Sequence, residues 1–274
     1  MESGFLSALA GRLLRVPTLV SLAGGELVAL GDIGYGDQRL AVERLKVMTS
    51  VRLASAISAG SRMLAALAEH RTHRPVRLAP LGIDTALFTP AHSDAEPGAR
   101  RVIHVGTLTP VKDHHTLIRA FAELRGGGVD ASLELVGDGP LRPCLEQLTH
   151  DLGLDARVHF RGEIDHAELP RMYRAARACV LSSRHEAQGM VAIEAAACGL
   201  PLAGTCVGVL PELTRSVAPV ADERALATAM AEALGAQRCG PATQLARTEF
   251  DLQTCTDRFR ALYASLETRP KTLL

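Results

Sequence analysis

The chain has 274 residues, of which 47% are hydrophobic, so it can bury a sizeable core in one large or two modest domains. Its formal net charge is +0, which gives no electrostatic reason to expect a nucleic acid partner. No apolar run approaches the roughly 18 residues of a membrane span. The N-terminus lacks the basic-then-apolar order of a secretory signal, because Arg12 and Arg15 follow the first apolar residues instead of preceding them. The 6 cysteines form no Cys-x-x-Cys pair, which favours reduced thiols in a cytoplasmic protein, with the inner face of the membrane as a second location.

Apolar strands alternate with amphipathic helices along the chain. The predicted strands are 18–22, 54–58, 76–78, 102–106, 133–137, 157–161, 178–182 and 202–204. The predicted helices are 38–49, 61–69 with Ser61 as its N-cap, 114–124, 141–152, 166–176, one from Gly189, one led by Pro211, and two short helices within 242–266. This order predicts an α/β fold with parallel, doubly wound sheets, whose strands all end at one edge.

The polar segment 93–100 contains Pro97 and Gly98 and is typical of a linker between domains. It separates a predicted N-terminal α/β domain, residues 1–92, from a second α/β domain, residues 101–240. The remaining residues, 241–274, are predicted to form C-terminal helices.

The most informative stretch follows the apolar strand at 178–182. Glu186 and Glu194 stand eight positions apart, and because two helical turns take about 7.2 residues, both carboxylates can face one cleft at the end of that strand. Two glutamates at this spacing are also common on a solvated helix face. Glu194, however, is surrounded by apolar residues, and a buried carboxylate is costly unless a ligand hydroxyl or another partner binds it.

Other strand ends carry residues suited to a phosphate or a nucleotide. Lys112 precedes a predicted helix, where it is either a fixed cation or a solvated surface lysine. The turn at Gly137 and Gly139 does not continue as Gly-x-Gly-x-x-Gly, because position 142 is Arg, and this disfavours a nicotinamide dehydrogenase. His114 and His115 are expected on the helix surface.

The Glu-x7-Glu spacing, followed by Gly199-Leu200-Pro201, resembles the donor-site signature of retaining GT-B glycosyltransferases of family 4, group 1. The segment 78–90 resembles that family's interdomain strand and turn, and the whole resemblance covers roughly residues 5–266. It implies a GT-B fold whose Rossmann-like donor domain binds a nucleotide-diphosphate sugar. It also implies transfer of the sugar, with retention of configuration and without a metal or other cofactor, to an unknown glycan, lipid or small-molecule acceptor.

The resemblance also implies roles for individual residues. Catalytic roles fall on Glu186, which would contact the transferred sugar, and on Lys112, which would clamp the donor diphosphate. Thr107 stands where the family has a second clamping cation, an arginine, so a weaker clamp is expected. The remaining donor-binding residues are Gly137, Gly139, Arg161 and Gly162 around the base, Gln188, Gly189 and Met190 at a helix N-terminus, and Glu194 on the ribose.

A purely structural role of these glycines, in tight turns that contact no ligand, stays open as an alternative. The run Glu186-Ala187-Gln188-Gly189 also differs from the family's usual Glu-Gly-Phe-Gly, so the contacts with the sugar are expected to differ.

The N-terminal part departs most from the family pattern. The family's domain opens with a glycine-rich loop, which this sequence lacks, and the run Leu22–Glu26 resembles a later strand end with Ala23 where a histidine often stands. We therefore expect a partial acceptor-side domain that lacks some 80–100 residues. The alternative function is a nucleotide-sugar-binding module with impaired catalysis, and self-association through an exposed strand edge is expected.

Overall fold

The computed structural model describes residues 2–90 and 100–267. Contacts divide the chain into two compact units. The first contains the residues up to Gly82, the short segment 186–188 and the stretch from Leu252, and the second contains Ile83–His185 and Gly189–Asp251. Most of the predicted linker, 93–99, lies outside the described residues, and the predicted domain boundaries stay predictions.

Nine strands and eleven α-helices are found in the described residues. The strands are β1 (Leu19–Leu22), β2 (Ala56–Ala59), β3 (Val76–Leu78), β4 (Arg101–Val105), β5 (Ser132–Val136), β6 (Val158–Gly162), β7 (Ala178–Leu181), β8 (Leu202–Thr205) and β9 (Val217–Ala218). The helices are α1 (Glu2–Leu14), α2 (Ala41–Leu53), α3 (Arg62–Thr72), α4 (His114–Gly126), α5 (Arg142–Asp151), α6 (Leu169–Ala175), α7 (Met190–Ala197), α8 (Leu210–Leu213), α9 (Glu223–Gly235), α10 (Pro241–Glu249) and α11 (Leu252–Glu267).

Each predicted strand is present, with its ends shifted by at most two residues. The predicted helix 166–176 is wrong in its first turn, which is a 3-10 turn at His166–Glu168 followed by α6. Pro170 lies in the first turn of α6, where its missing N–H costs no hydrogen bond, and so marks where the α-helix begins. The sequence analysis did not predict α1, α9 or β9.

The first unit contains a parallel sheet in the order β1-β2-β3. Its core joins Ala8 of α1 and Val47 of α2 to Ile57 of β2 and Leu64 of α3. The predicted N-cap of α3 is confirmed, because the Ser61 hydroxyl accepts a hydrogen bond from the Leu64 N–H at 3.2 Å. Large apolar side chains nevertheless stay exposed on this unit: Leu6, Leu9, Leu13, Leu14, Val16, Leu40, Val42 and Leu45.

The second unit contains a six-stranded parallel sheet in the order β6-β5-β4-β7-β8-β9. The predicted doubly wound α/β architecture is confirmed by this order and by two separate apolar clusters. One cluster unites Val102 of β4 with α4, α5 and α9, and the other unites Ile103 of β4 with α6, α7 and α10. Since side chains alternate across a strand, neighbouring residues of β4 enter cores on opposite faces of the sheet.

The strand order reverses between β4 and β7. At such a switch point the loops that follow the two strands diverge to opposite faces, and the crevice at their carboxyl ends is where doubly wound sheets bind ligands. Within residues 2–90 and 100–267, no helix has the length and hydropathy needed to cross a membrane.

Candidate functional site

The loops that follow β4, β5 and β6 are joined backbone to backbone at the carboxyl edge of the second-unit sheet. The Leu108 N–H donates to the Asp138 carbonyl at 2.9 Å, and the Gly137 N–H donates to the Gly162 carbonyl at 2.8 Å. These bonds hold three neighbouring loops in one fixed arrangement next to the switch point.

Gly137 and Gly139 make this close packing possible. Gly137 has a φ of +123°, and a Cβ built there would lie 2.3 Å from the Gly106 carbonyl oxygen. A Cβ on Gly139 would lie 2.7 Å from the Leu108 carbonyl oxygen. Loop packing alone therefore accounts for both glycines, and their predicted contact with a base stays a prediction.

The main chain around Lys112 is tied to the loop after β7. The Ser182 hydroxyl donates to the Lys112 carbonyl at 2.7 Å, and the Arg184 N–H donates to the Val111 carbonyl at 2.8 Å. The Lys112 stem passes close to Gly106, because a Cβ built on that glycine would lie 3.7 Å from both Cδ and Cε. The lysine is thus anchored at the switch point. Thr107, beside it, is exposed.

The prediction that His114 lies on the helix surface is wrong, whereas His115 is exposed as expected. The His114 side chain is completely buried and packs edge-on against the ring of His104, with 4.6 Å between the ring centroids. Burial, and then electrostatic interactions with His104, Lys112 and His115, lower the pKa of His114 to about 2.

A sequence signal for the burial of His114 existed. Leu117, Ile118 and Phe121 follow it at i+3, i+4 and i+7, and all three are buried, so His114 begins the apolar stripe of α4. The histidine pair is buried between α4 and β4, where the His104 Nδ1 lies 2.9 Å from the Val180 carbonyl oxygen of β7.

The N-terminus of α7 begins at Met190, directly after Gly189. Gly189 has a φ of 93° and a ψ of 62°, and no side chain in the described part of the chain caps the helix. Ala192 donates its N–H to the Gly189 carbonyl at 3.0 Å, so the first turn is formed. Such a helix start directs backbone N–H groups and the positive end of the helix dipole towards an anion.

Gln188 belongs to the first unit, and its side chain is engaged there. Its amide Oε1 accepts from the Leu81 N–H at 2.8 Å, and its Nε2 donates to the Leu81 carbonyl at 2.8 Å. The neighbouring Ala187 carbonyl accepts from the Ser61 hydroxyl at 2.7 Å. The predicted contact of Gln188 with the sugar donor stays a prediction.

Glu186 also belongs to the first unit, where its charge acts on Tyr35. Burial raises the pKa of Tyr35 above its usual value, and the charges of Glu186, Glu26 and Asp37 raise it further. The Glu26 carboxylate is itself bound by the N–H groups of Ala23 and Gly24, at 3.2 and 2.8 Å. Three carboxylates of the first unit thus act on Tyr35, and the contact of Glu186 with the sugar stays a prediction.

Glu194 is buried, as its apolar neighbours predict, and the protein supplies its partners. The Tyr173 hydroxyl donates to Oε2 at 3.0 Å, and the His166 Nε2 lies 3.3 Å from Oε1. An ionised carboxylate offers about four acceptor positions, so two remain for a ligand. Sequence reasoning missed both partners.

The side chain of Arg161 pairs with a buried acid. Its guanidinium donates to both carboxylate oxygens of Glu134, whose exposure is only 2%. Arg101 adds a second cation, with its Nε 3.5 Å from Glu134 Oε1. This pair uses two of the five N–H groups of the guanidinium, and the contact of Arg161 with a base stays a prediction.

Most predicted donor-site residues meet at one edge of the second-unit sheet. Arg161 and Gly162 are the last residues of β6, whereas Glu186 and Gln188 belong to the first unit. The others follow the carboxyl ends of β4, β5 and β7: Thr107, Lys112, Gly137, Gly139, Gly189, Met190 and Glu194. In the described ranges, no three His, Cys, Asp or Glu side chains are grouped so that they could hold a metal ion.

Solved structures share this fold. Sucrose-phosphate synthase from Thermosynechococcus elongatus is similar with a TM-score of 0.78 and 25% identity, over 96% of this chain and 72% of that one. HepE from Anabaena, solved in complex with UDP and glucose, is similar with a TM-score of 0.77 and 22% identity, over 97% and 76% of the two chains. These similarities confirm the predicted Rossmann-like GT-B fold.

Curated relatives match a shorter part of the chain. The D-inositol 3-phosphate glycosyltransferase of Mycolicibacterium gilvum is 37% identical over 142 residues, which are 49% of this chain and 32% of the relative. The enzyme of the same name from Mycolicibacterium smegmatis is 36% identical over 138 residues, again 32% of its length. The matches thus span about a third of these relatives.

Residues 89–237, which are more than half of the chain, match the sequence model of the family described as "Glycosyl transferases group 1". This range contains β4 to β9 and the strand-end residues from Thr107 to Glu194. The resemblance to GT-B glycosyltransferases is confirmed, while the narrower assignment to family 4 stays a prediction. The chain belongs to the group 1 glycosyl transferases.

Proposed function

We propose that the second unit binds a nucleotide-diphosphate sugar, and that the chain is a retaining, metal-independent glycosyltransferase. One observation carries the proposal. A lysine, an uncapped helix N-terminus and a buried glutamate lie at the carboxyl ends of the strands that flank the switch point of a group 1 glycosyl transferase sheet. This set of groups suits a diphosphate and a ribose.

The proposed chemistry follows from the charges. When the sugar leaves, the nucleoside diphosphate gains negative charge, and the Lys112 ammonium and the N–H groups at the start of α7 stabilise it. Glu194 accepts hydrogen bonds from the ribose hydroxyls, and Thr107 donates one to a phosphate without adding charge. Glu186 is proposed to contact the transferred sugar.

The donor is the first property to test. HepE was solved with UDP and glucose, which supports starting with UDP-sugars and comparing them with GDP- and ADP-sugars in a thermal-shift panel. A ligand that binds only the folded state raises the unfolding temperature. If none of these nucleotide sugars shifts the transition, the donor-site proposal is wrong.

Transfer and its stereochemistry need a separate measurement. Incubation of the stabilising donor with cell extracts as acceptor sources, followed by NMR of the product's anomeric proton, would show whether sugar moves and whether configuration is retained. Addition of EDTA should leave the rate unchanged. Binding without transfer would favour the second candidate, a nucleotide-sugar-binding module. This candidate is supported by the small first-unit sheet, which has only three strands in the described residues.

Replacing Glu194 with glutamine is expected to weaken binding of the active nucleotide by about 1.5–3 kcal/mol, since a hydrogen bond to a charged group is worth that much. Isothermal titration calorimetry measures the change. Glu123→Gln is a matched control, because Glu123 is exposed in the last turns of α4. Equal affinities for the parent and Glu194→Gln would contradict the ribose role.

Replacing Lys112 with alanine is expected to weaken the binding of nucleoside diphosphates by about 1.5–3 kcal/mol. The binding of the corresponding nucleoside should be nearly unaffected, because only the diphosphate contacts the ammonium. Competition binding with the nucleoside, the monophosphate and the diphosphate measures this difference. The control is Lys46→Ala in α2, where Lys46 pairs with Glu43 at 2.8 Å. A loss of the same size for nucleoside and diphosphate would show a structural effect of Lys112 instead.

A further inference from the structure

The two oxygens of the Glu194 carboxylate have different surroundings. Oε2 accepts the Tyr173 hydroxyl at 3.0 Å, and Tyr173 is completely buried. Oε1 lies 3.3 Å from the Nε2 of His166, whose side chain is 63% exposed. One oxygen therefore contacts a buried side chain, and the other contacts a side chain that is exposed to solvent.

Tyr173 acts as a donor to Glu194 throughout the neutral pH range. Burial raises the pKa of the Tyr173 hydroxyl well above its usual value of 10, and the charge of Glu194 raises it further. Because a carboxylate can only accept hydrogen bonds, the Tyr173 hydroxyl is the donor in this hydrogen bond.

The tyrosine ring is itself fixed by packing. Phe88, which is 1% exposed, lies with its ring centroid 6.2 Å from that of Tyr173. The same phenylalanine packs edge-on against His166, at 5.2 Å between centroids. The buried Phe88 ring therefore packs against both Tyr173 and His166, the two residues that contact the Glu194 carboxylate.

We propose that Tyr173 is a positioning residue of the nucleotide site, which holds the inner oxygen of Glu194 so that Oε1 is presented to the ribose hydroxyls. The proposal rests on the proposed function. A glutamate side chain has several rotatable bonds, and fixing it before the ligand arrives removes an ordering cost from binding. His166 occupies one acceptor position of Oε1 and leaves another for a ribose hydroxyl.

The test compares ribose recognition in Tyr173→Phe and in the parent. The variant loses the hydroxyl and keeps the ring, so the packing against Phe88 is preserved. Calorimetry measures affinities for whichever of UDP, GDP and ADP binds the parent, and for its 2′,3′-dideoxy counterpart. We expect the affinity of Tyr173→Phe for the ribonucleotide to be about 5- to 20-fold lower than that of the parent, and its affinity for the dideoxynucleotide to be less than 2-fold lower. Tyr263→Phe, on an exposed ring of α11, should change neither affinity.

A double-mutant cycle separates positioning from stability. If Tyr173 acts through Glu194, adding Tyr173→Phe to Glu194→Gln should leave the ribose preference where Glu194→Gln alone puts it. An independent loss in the double variant, or equal losses for ribo- and dideoxynucleotide in Tyr173→Phe, would overturn the proposal.

His166→Ala gives a second readout that does not disturb the buried ring. Because the inner hydrogen bond remains, we expect the ribose preference to stay within 2-fold of the parent. A loss of preference in His166→Ala but not in Tyr173→Phe would show that Glu194 is positioned from the exposed side and would overturn the proposal. A parent that binds none of the three nucleotides overturns the proposed function and this inference together. Ribo- and dideoxynucleotides that bind the parent equally would refute the inference and the ribose role of Glu194 alone.

Discussion

The substitution Gly137→Ala is expected to destabilise the second unit by about 3 kcal/mol or more, which would be a large effect for the addition of one methyl group. Gly137 has a φ of +123°, where an L side chain is strained, and its Cβ would lie 2.3 Å from the Gly106 carbonyl oxygen and 2.9 Å from the Gly106 carbonyl carbon. Both atoms belong to the backbone, so no flexible side chain can move aside. The loops after β4 and β5 must separate.

Two other glycines serve as matched controls for this prediction. Gly153 has a φ of +66° with nothing within 4 Å of a built Cβ, so Gly153→Ala measures the conformational cost alone, about 1 kcal/mol. Gly126, in the last turn of α4, has neither a positive φ nor a neighbour, and Gly126→Ala should be neutral or slightly stabilising. Urea unfolding followed by circular dichroism ranks the three, and equal losses for Gly137→Ala and Gly153→Ala would show that the close approach is unimportant.

The same variant links stability to the proposed site. Since the Gly137 N–H bonds to Gly162 and Leu108 bonds to Asp138, a displaced Gly137 disturbs all three loops that border the donor position. Nucleotide affinity should therefore fall together with stability in Gly137→Ala, but not in Gly153→Ala.

The sequence predicts the strands well because fully buried parallel strands are short, unbroken apolar runs. The stretch 178–182 shows this, since all four residues of β7 are buried. The order β6-β5-β4-β7-β8-β9 could be anticipated only through the family resemblance, because apolar runs carry no information on which strands are neighbours. Helix α9 was missed although Asp222 caps it by accepting the Ala225 N–H at 2.9 Å.

At the candidate site, burial could be predicted but partners could not. The apolar neighbours of Glu194 indicate a buried carboxylate, which the structure confirms. Its partners, Tyr173 and His166, stand 21 and 28 positions earlier and approach it only through the crossover that contains α6. Gln188 is a stronger example, because it pairs with Leu81 across 107 positions. Such contacts depend on the assembled fold and not on local spacing.

Acidification from pH 7.5 to 5.0 is expected to destabilise the parent by about 2 kcal/mol more than it destabilises His114→Leu. Folding lowers the pKa of His114 from 6.5 to about 2, so below pH 6.5 the unfolded chain binds a proton that the folded chain does not. Stability from this group is therefore fully present above pH 6.5 and is lost progressively as the pH falls towards 2. Neither ring nitrogen of His114 has a hydrogen-bond partner in the described residues, which agrees with a neutral ring.

The control for this prediction is the neighbouring histidine. His115 is exposed, so His115→Leu should keep the full pH dependence of the parent, although it removes the same kind of side chain one position away. Urea unfolding at constant ionic strength and at four pH values between 7.5 and 5.0 gives the slopes of stability against pH. The slope is compared in place of the absolute stability because His114→Leu also removes the ring contact with His104. Parallel slopes for the parent and His114→Leu would mean that His114 takes up its proton inside the folded protein, and that the buried pair between β4 and α4 opens to water near neutral pH.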